Sequence, residues 1–436
     1  MPKKWNILPS PPAIFLNSHP ELPPSITRLL WNRNLRTQEQ IDEFLNPDYF
    51  QDLHDPFLFK DMPKALDIIF KAIEDQKNIV VHGDYDADGV CAAAILITAL
   101  KKFGAKNTSV FIPHREIDGY GLNAKTVELF KDQNIGLIIT CDCGVSNVAE
   151  IKMAKEFGMQ VIVTDHHSIP ATTPPADAII HSKMPDETYP DKNICGAATA
   201  FKLVQALLKK HKETNEFLPD GQIHEAFEKW MLDLVAIATI GDMVPLLGES
   251  RTLARYGITV LNKTKNLGLQ RLLIAANIAD ETGKPRRGQY NAFTVGFQIV
   301  PRLNAAGRMD HANTAFALLV SEDEEEAAKL AEQLCKNNTD RQKMTEKMVD
   351  EAVKQIEETK QEDNPFLFVL GEDWGMGILG LIAGRLKDKY YKPVMAMGRD
   401  EDEIFGSGRS ILEFNLIRAM QSVPKMFEKF GGHPQA

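Results

Sequence analysis

The sequence predicts an α/β protein: a parallel sheet covered by helices, joined through a long helix to a second, smaller α/β unit. Two observations carry this. From about Asn78 to Lys183, short β-branched runs alternate with amphipathic stretches, a βαβ rhythm whose continuous apolar strands are buried on both faces. Beyond a long stretch of helical spacing and a break at Gln361 to Pro365, the same alternation restarts.

Taken in order, Pro23 to Ala72 reads as mainly helical with proline punctuation and is expected to pack against the sheet. The strands follow as NIVVHGD, SVFIPH, GLIITCD, QVIVTDHH and DAIIHSK, with AAAILITALKKF and VAEIKMAKEFG among the intervening helices. Ala197 to Lys210 and Glu225 to Ile240 have helical apolar spacing. Ser321 followed by Glu324 has the form of a capping box, opening one long exposed helix to about Lys360 whose acidic start is a solvated face. The strand FLFVL, the turn GEDWGMGILG, a helix to Lys389, the strand PVMAMG and the hairpin-like FGSGRS complete the chain. The expected division is 1–70, 71–320, 321–360 and 361–436.

At 436 residues the chain exceeds one ordinary core, and 44% apolar with 25% charged residues is the balance of a globular protein. No apolar run approaches the roughly 20 residues that span a bilayer, and no hydrophobic signal region follows Lys3 and Lys4. A cytoplasmic location without a membrane partner is expected. The cysteines, Cys91, Cys141, Cys143, Cys195 and Cys335, are odd in number and unevenly spaced, so they are expected as reduced thiols. Cys141 and Cys143 flank Asp142 in a strand-like segment and point away from it, which favours packing over metal ligation. A net charge of −10 speaks against a nucleic-acid binder that relies on counterion release alone. A carboxylate cluster neutralised by cations, beside a local basic strip, removes the conflict.

Such a cluster is present. His82, Asp84, Asp86 and Asp88 follow the first strand, Asp142 the third, and Asp165, His166 and His167 the fourth, while Asp242 ends an apolar helix. The carboxyl edge of an open parallel sheet is where ligands bind, so these residues converge. One Asp at a strand end is most simply a helix cap. Six carboxylates with three imidazoles on one edge need a cation among them. Oxygen-rich sites with imidazoles suit Mn²⁺ or Mg²⁺, and two such ions can hold a phosphate and acidify a bridging water. Gly83, Gly89 and Gly144 permit close backbone approach, and a helix starting near Val90 offers its positive end to anions.

The strings HGDYDADGV, CDCGVS, TDHH and IGDMVPL resemble the four phosphoesterase motifs of the DHH family. HREIDGYGLN at His114 to Asn123, PRLNAAGRM at Pro301 to Met309, GSGRS and GGHPQA look like features of its single-strand-specific DNA exonucleases, and the resemblance runs from about Pro23 to Ala436. It implies a DHH domain joined by the long helix to a DHHA1-type substrate-binding domain. It implies two divalent ions, Mn²⁺ or Mg²⁺: one on His82, Asp86 and Asp142, the other on Asp88, Asp142, His166 and Asp242. Catalytic work would fall to Asp84, Asp142, His166 and His167, with His167 at the scissile phosphate or leaving oxygen. Asp84 and Asp165 would orient ligands, although Asp84 could equally touch metal-bound water.

For the substrate, the resemblance implies that Arg115 clamps a 5′ terminal phosphate, with Tyr120 beside it. Arg302, Asn304 and Arg308 would contact the backbone, and Ser407, Arg409, Gly431, Gly432 and His433 would form the second domain's binding module. The implied activity is 5′→3′ hydrolysis of single-stranded DNA to 5′ mononucleotides, in repair and recombination. Single-strand-binding protein and a RecQ-type helicase are the implied partners. The chain stops inside the GGHPQA motif, so a trimmed chain is expected, lacking an oligonucleotide-binding barrel. Two other readings remain: a relative acting on short oligonucleotides, cyclic dinucleotides or pyrophosphate, and a non-catalytic scaffold.

Overall fold

Strands β1 (Asn78–Gly83), β2 (Thr108–Phe111), β3 (Ile135–Cys141), β4 (Gln160–Thr164) and β5 (Ala178–Ile180) form one parallel sheet in the order β2-β1-β3-β4-β5. The computed structural model describes residues 5–400, 403–428, 430–432 and 434–435, apart from the side chain of residue 400. Alternate residues of each strand feed two separate cores. Ile79, Val81, Leu137, Ile139 and Ile162 join the core that includes the Ala87–Lys102 and Gly196–Lys212 helices. Val80, Ile138, Val161 and Val163 pack with the Ala124–Asp132 and Val148–Glu156 helices. With both faces dry, the strand interiors are apolar throughout, which is why they read as continuous runs.

The helix after β1 therefore covers one face and the helix after β3 the other. A crevice opens between the carboxyl ends of these two adjacent strands, where the order reverses direction. The candidate carboxylates follow those ends.

The structure corrects three expectations. The helix after β1 starts at Ala87, not near Val90, because Asp86 caps it: its Oδ1 accepts the amides of Asp88 at 2.9 Å and Gly89 at 3.2 Å. The segment read as one helix from Glu225 to Ile240 breaks at Met231 into His224–Trp230 and Leu232–Gly241. The long helix spans Glu324–Glu358 and is capped by Asp323, whose carboxylate accepts the Glu326 amide at 2.8 Å. Ser321 instead contacts the Glu326 side chain at 2.9 Å. Nor is this helix simply exposed. Ala327, Ala331 and Leu334 join the first core, and Met348, Ala352 and Ile356 join that of the second sheet. One stripe thus fastens both units.

The second sheet comprises β6 (Leu367–Gly371), β7 (Val394–Asp400) and β8 (Glu403–Arg409), with β6 and β7 parallel and β7 and β8 an antiparallel hairpin. The Met376–Tyr390 helix covers it.

Asp233, buried at the start of the Leu232–Gly241 helix, accepts from Thr264 Oγ1 and from the Leu234 amide. Burial raises its carboxyl to about 6 from 3.8, despite these hydrogen bonds. Because the folded value is raised, the native state holds a proton that the unfolded chain has lost, and stability falls as pH rises from about 4 through about 6. Asp233→Asn is expected to lose this slope. Its melting temperature relative to the unsubstituted chain should climb between pH 4 and pH 7, by up to about 3 kcal/mol in stability. Parallel thermal unfolding curves at the two pH values check this; a constant difference would refute it.

Candidate active site

Backbone geometry brings the acidic groups together. After β1 the chain turns so tightly that a Cβ on Gly89 would lie 2.6 Å from the Asp84 backbone nitrogen and oxygen. After β3, Asp142 takes the left-handed conformation at φ 59°, a strained geometry for a non-glycine residue and common at functional sites. Its carboxylate occupies the space where a Cβ on Gly196 would stand. The N-terminus of the Gly196–Lys212 helix fixes Asp88: the Gly196 and Ala197 amides each donate to one of its oxygens at 2.7 Å. Asp165, after β4, accepts the amides of Val145 and His166 at 2.9 and 2.7 Å and the His167 Nδ1–H at 2.8 Å. Burial alone would raise the Asp165 carboxyl; the hydrogen bond and charge of His167 hold it down to about 2.

Around His166 Nε2 stand Asp142 Oδ1 at 3.1 Å and Asp88 Oδ2 and Asp242 Oδ2 at 3.7 Å. Asp84, Asp86 and Asp142 offer a second set of oxygens within 4.8 Å of one another. Four atoms of this centre, His82 Nε2, Asp84 Oδ1, Asp142 Oδ1 and His166 Nε2, are buried without a hydrogen-bond partner. Orphaned buried atoms of that kind are costly, and convergent oxygens with imidazole nitrogens are the donor set of a hard divalent cation. Without a cation the site is self-repelling. Burial and the neighbouring carboxylates push Asp84 and Asp142 well above the usual range, Asp88 up to about 6 and Asp242 up to about 7. The residues present fit a divalent pair.

The sequence expected one ion on His82, Asp86 and Asp142; here Asp84, not His82, shares the close oxygen set with them. His82 is buried, its Nδ1 3.6 Å from Cys143 Sγ, leaving Nε2 free. Burial drives this imidazole down to about 4, so it is neutral and able to ligate. Cys141 and Cys143 are buried in packing positions.

On the substrate side the outcome is mixed. Arg115 sits over the Tyr85 ring, 4.0 Å from its centroid, and with Arg308, Glu116, Asp310 and Gly377 lines a cleft of about 170 Å³. Arg308 donates to the Gly377 carbonyl at 2.8 Å, and burial with the nearby cations Arg115, Arg341 and Arg409 pushes its guanidinium down to about 10. Such crowding of cations favours an anion. Arg409 donates to Ser407 Oγ at 3.2 Å, and nearby the Ser410 and Leu416 amides donate to the Gln435 and Pro434 carbonyls. His433 lies outside the described residues.

Two expected substrate contacts are engaged internally. Asn304 Oδ1 accepts the Ala87 amide at 2.7 Å, supporting the turn after β1, which leaves only its NH₂ group. The Tyr120 hydroxyl donates to the Asp142 carbonyl at 3.1 Å and lies 3.1 Å from His167 Nδ1. Conversely, the sequence reading missed Arg341, read as part of a solvated helix face. Its Nε is buried without a partner, near Arg302 and Arg385. No sequence signal marked it, since its burial depends on how the helix packs. The Gly196 and Ala197 amides carried no sequence signal.

A doubly covered parallel sheet with this centre at its switch point, tied by a long helix to a small mixed sheet, defines the DHH phosphoesterase class. Residues 78–239 match the model of the DHH family, N-terminal domain, and residues 363–436 that of the DHHA1 domain. The single-stranded-DNA-specific exonuclease RecJ of Bacillus subtilis is 40% identical over 95% of this chain and 50% of its own length. RecJ of Haemophilus influenzae is 33% identical over 95% of this chain and 71% of its own. The crystal structure of Thermus thermophilus RecJ in complex with Mn²⁺ superposes with a TM-score of 0.81 at 30% identity, covering 99% of this chain and 59% of that one. The chain belongs to the RecJ family, and it spans half the length of the Bacillus relative.

Proposed function

We propose that this chain is the catalytic part of a metal-dependent 5′→3′ exonuclease that removes mononucleotides from single-stranded DNA in repair and recombination. The observation that carries the reading is the juxtaposition of an orphaned carboxylate and imidazole centre with an arginine-lined cleft. Family membership supports it. His82, Asp84, Asp86 and Asp142 would hold one divalent ion, Mn²⁺ or Mg²⁺, and Asp88, Asp142, His166 and Asp242 the other. Such ions, when bound, neutralise the phosphate and acidify water for in-line attack on phosphorus.

Arg115 and Arg308 grip the 5′ terminal phosphate, which sets polarity. Water adds to the phosphorus of the second nucleotide, the bond to the first nucleotide's O3′ breaks, and that oxygen takes up a proton. The shortened strand keeps a 5′ phosphate, so the next cycle presents the same handle. His167, held by Asp165, would act at the phosphate or the departing oxygen. Residues 361–436 would act as the substrate-binding unit. The described residues contain no helix able to cross a membrane, and a cytoplasmic location is proposed with single-strand-binding protein and a RecQ-type helicase as partners.

The test is degradation of 5′-labelled and 3′-labelled single strands and of a dinucleotide, with Mn²⁺, Mg²⁺ or chelator. Immediate release of a labelled 5′ mononucleotide, lost with chelator, is expected. Activity confined to the dinucleotide would replace this reading with a short-substrate phosphodiesterase.

A further inference from the structure

Phe293 and Phe297 are 61% and 71% exposed, yet their rings stack on each other with centroids 4.8 Å apart and an interplanar angle of 26°. Among the described residues no other stacked pair leaves both rings in solvent to this extent. Phe293 lies just before, and Phe297 within, a π-helical turn, Val295–Ile299, a rare feature that recurs at functional sites. The back of this turn is fixed: Val295 and Ile299 are buried, and Gly296 faces Ile240. The next residue, Val300, abuts Gly241, so the turn is seated on the helix end that presents Asp242 to the metal centre.

The same helical stretch continues as Val300–Met309 and carries Arg302 and Arg308. Arg302 reaches back to donate to the Gln298 carbonyl beside Phe297, while its Nε has no partner. A cation for phosphate, Arg302, and two faces for bases therefore follow one another along one helical stretch, whose far end carries Arg308 at the cleft. From Arg308 to Phe297 the helical stretch is about 16 Å long at the rise of a regular helix. A strand of one or two nucleotides clamped at its 5′ phosphate ends before the rings; a longer strand crosses them.

We propose that Phe293 and Phe297 form a base-stacking platform for single-stranded DNA on the 3′ side of the cleaved bond. Stacking suits an exonuclease, because every base has a π face and the contact tolerates any sequence as the strand advances. The inference rests on the exonuclease reading and assigns a further subsite to it. The exposed apolar rings are thereby explained without a protein partner.

The test compares the chain with the double variant Phe293→Ala/Phe297→Ala on 5′-phosphorylated oligothymidines of increasing length, recording KM and kcat in Mn²⁺. For the unsubstituted chain KM should fall as strands lengthen past the platform. In the variant that gain should disappear, with KM on a 20-mer raised on the order of tenfold or more and kcat on the shortest cleaved strand unchanged. Phe293→Trp/Phe297→Trp should restore it. A variant whose KM keeps falling with length as before overturns the platform while leaving the exonuclease intact. An unsubstituted chain that cleaves no strand of any length overturns both.

Discussion

Asp142→Asn should abolish metal-dependent nuclease activity and, in the same protein, raise the thermal stability of the metal-free form. The two effects share one cause. Asp142 Oδ1 lies at the junction of both candidate ligand sets, 3.1 Å from His166 Nε2, so a neutral amide removes a charge from the point where two cations would meet. Loss of at least about 10³-fold in kcat is expected, the scale on which removal of a group aimed at developing charge is felt. Without metal, however, the buried Asp142 carboxylate faces Asp88, Asp86, Asp84 and Asp165, and burial already pushes it well above its ordinary range. Removing one of several buried like charges relieves repulsion. Calorimetry in chelator should show Asp142→Asn melting above the unsubstituted chain, and addition of Mn²⁺ should reverse the ranking. A variant that melts lower in chelator would show that Asp142 holds the fold together, and the loss of activity would then say nothing about metal.

The second large effect concerns stability alone. Lys202 and Glu249 form an ion pair with both side chains fully buried. Tyr189 donates to the same carboxylate, the His54 amide donates to it at 3.0 Å, and Lys202 Nζ donates to the His54 carbonyl at 2.9 Å. Phe59 stacks on Tyr189 with centroids 3.9 Å apart, closing the network from the N-terminal side. Lys202→Met leaves a carboxylate buried without its cation, a loss of roughly 3–5 kcal/mol. A drop of about ten degrees in melting temperature is expected. Lys202→Met/Glu249→Leu should recover much of the loss, because the Coulomb gain of a buried pair scarcely exceeds its desolvation. A double variant as unstable as the single one would show that the hydrogen bonds to Tyr189 and His54, not the charge balance, secure this region.

By itself the sequence determined the strand-and-helix alternation, because both faces of the sheet are dry and five apolar runs interrupted by amphipathic stretches admit little else. It also determined which carboxylates and imidazoles gather, since parallel strands all end at one edge. What it could not determine is which atoms remain free once the chain has folded. Asn304 and Tyr120 have residue types suited to a substrate, but their polar groups are taken up by the Ala87 amide and the Asp142 carbonyl. Arg341 belongs to a helix whose composition reads as solvated, and only the packing of that helix against Val300–Met309 brings it to Arg302. The hold on Asp88 comes from backbone amides more than 100 residues away, and backbone amides have no letter in a sequence. Local propensity and periodicity write the elements; long-range packing chooses which donors and acceptors are spent inside the protein and which are left for ligands.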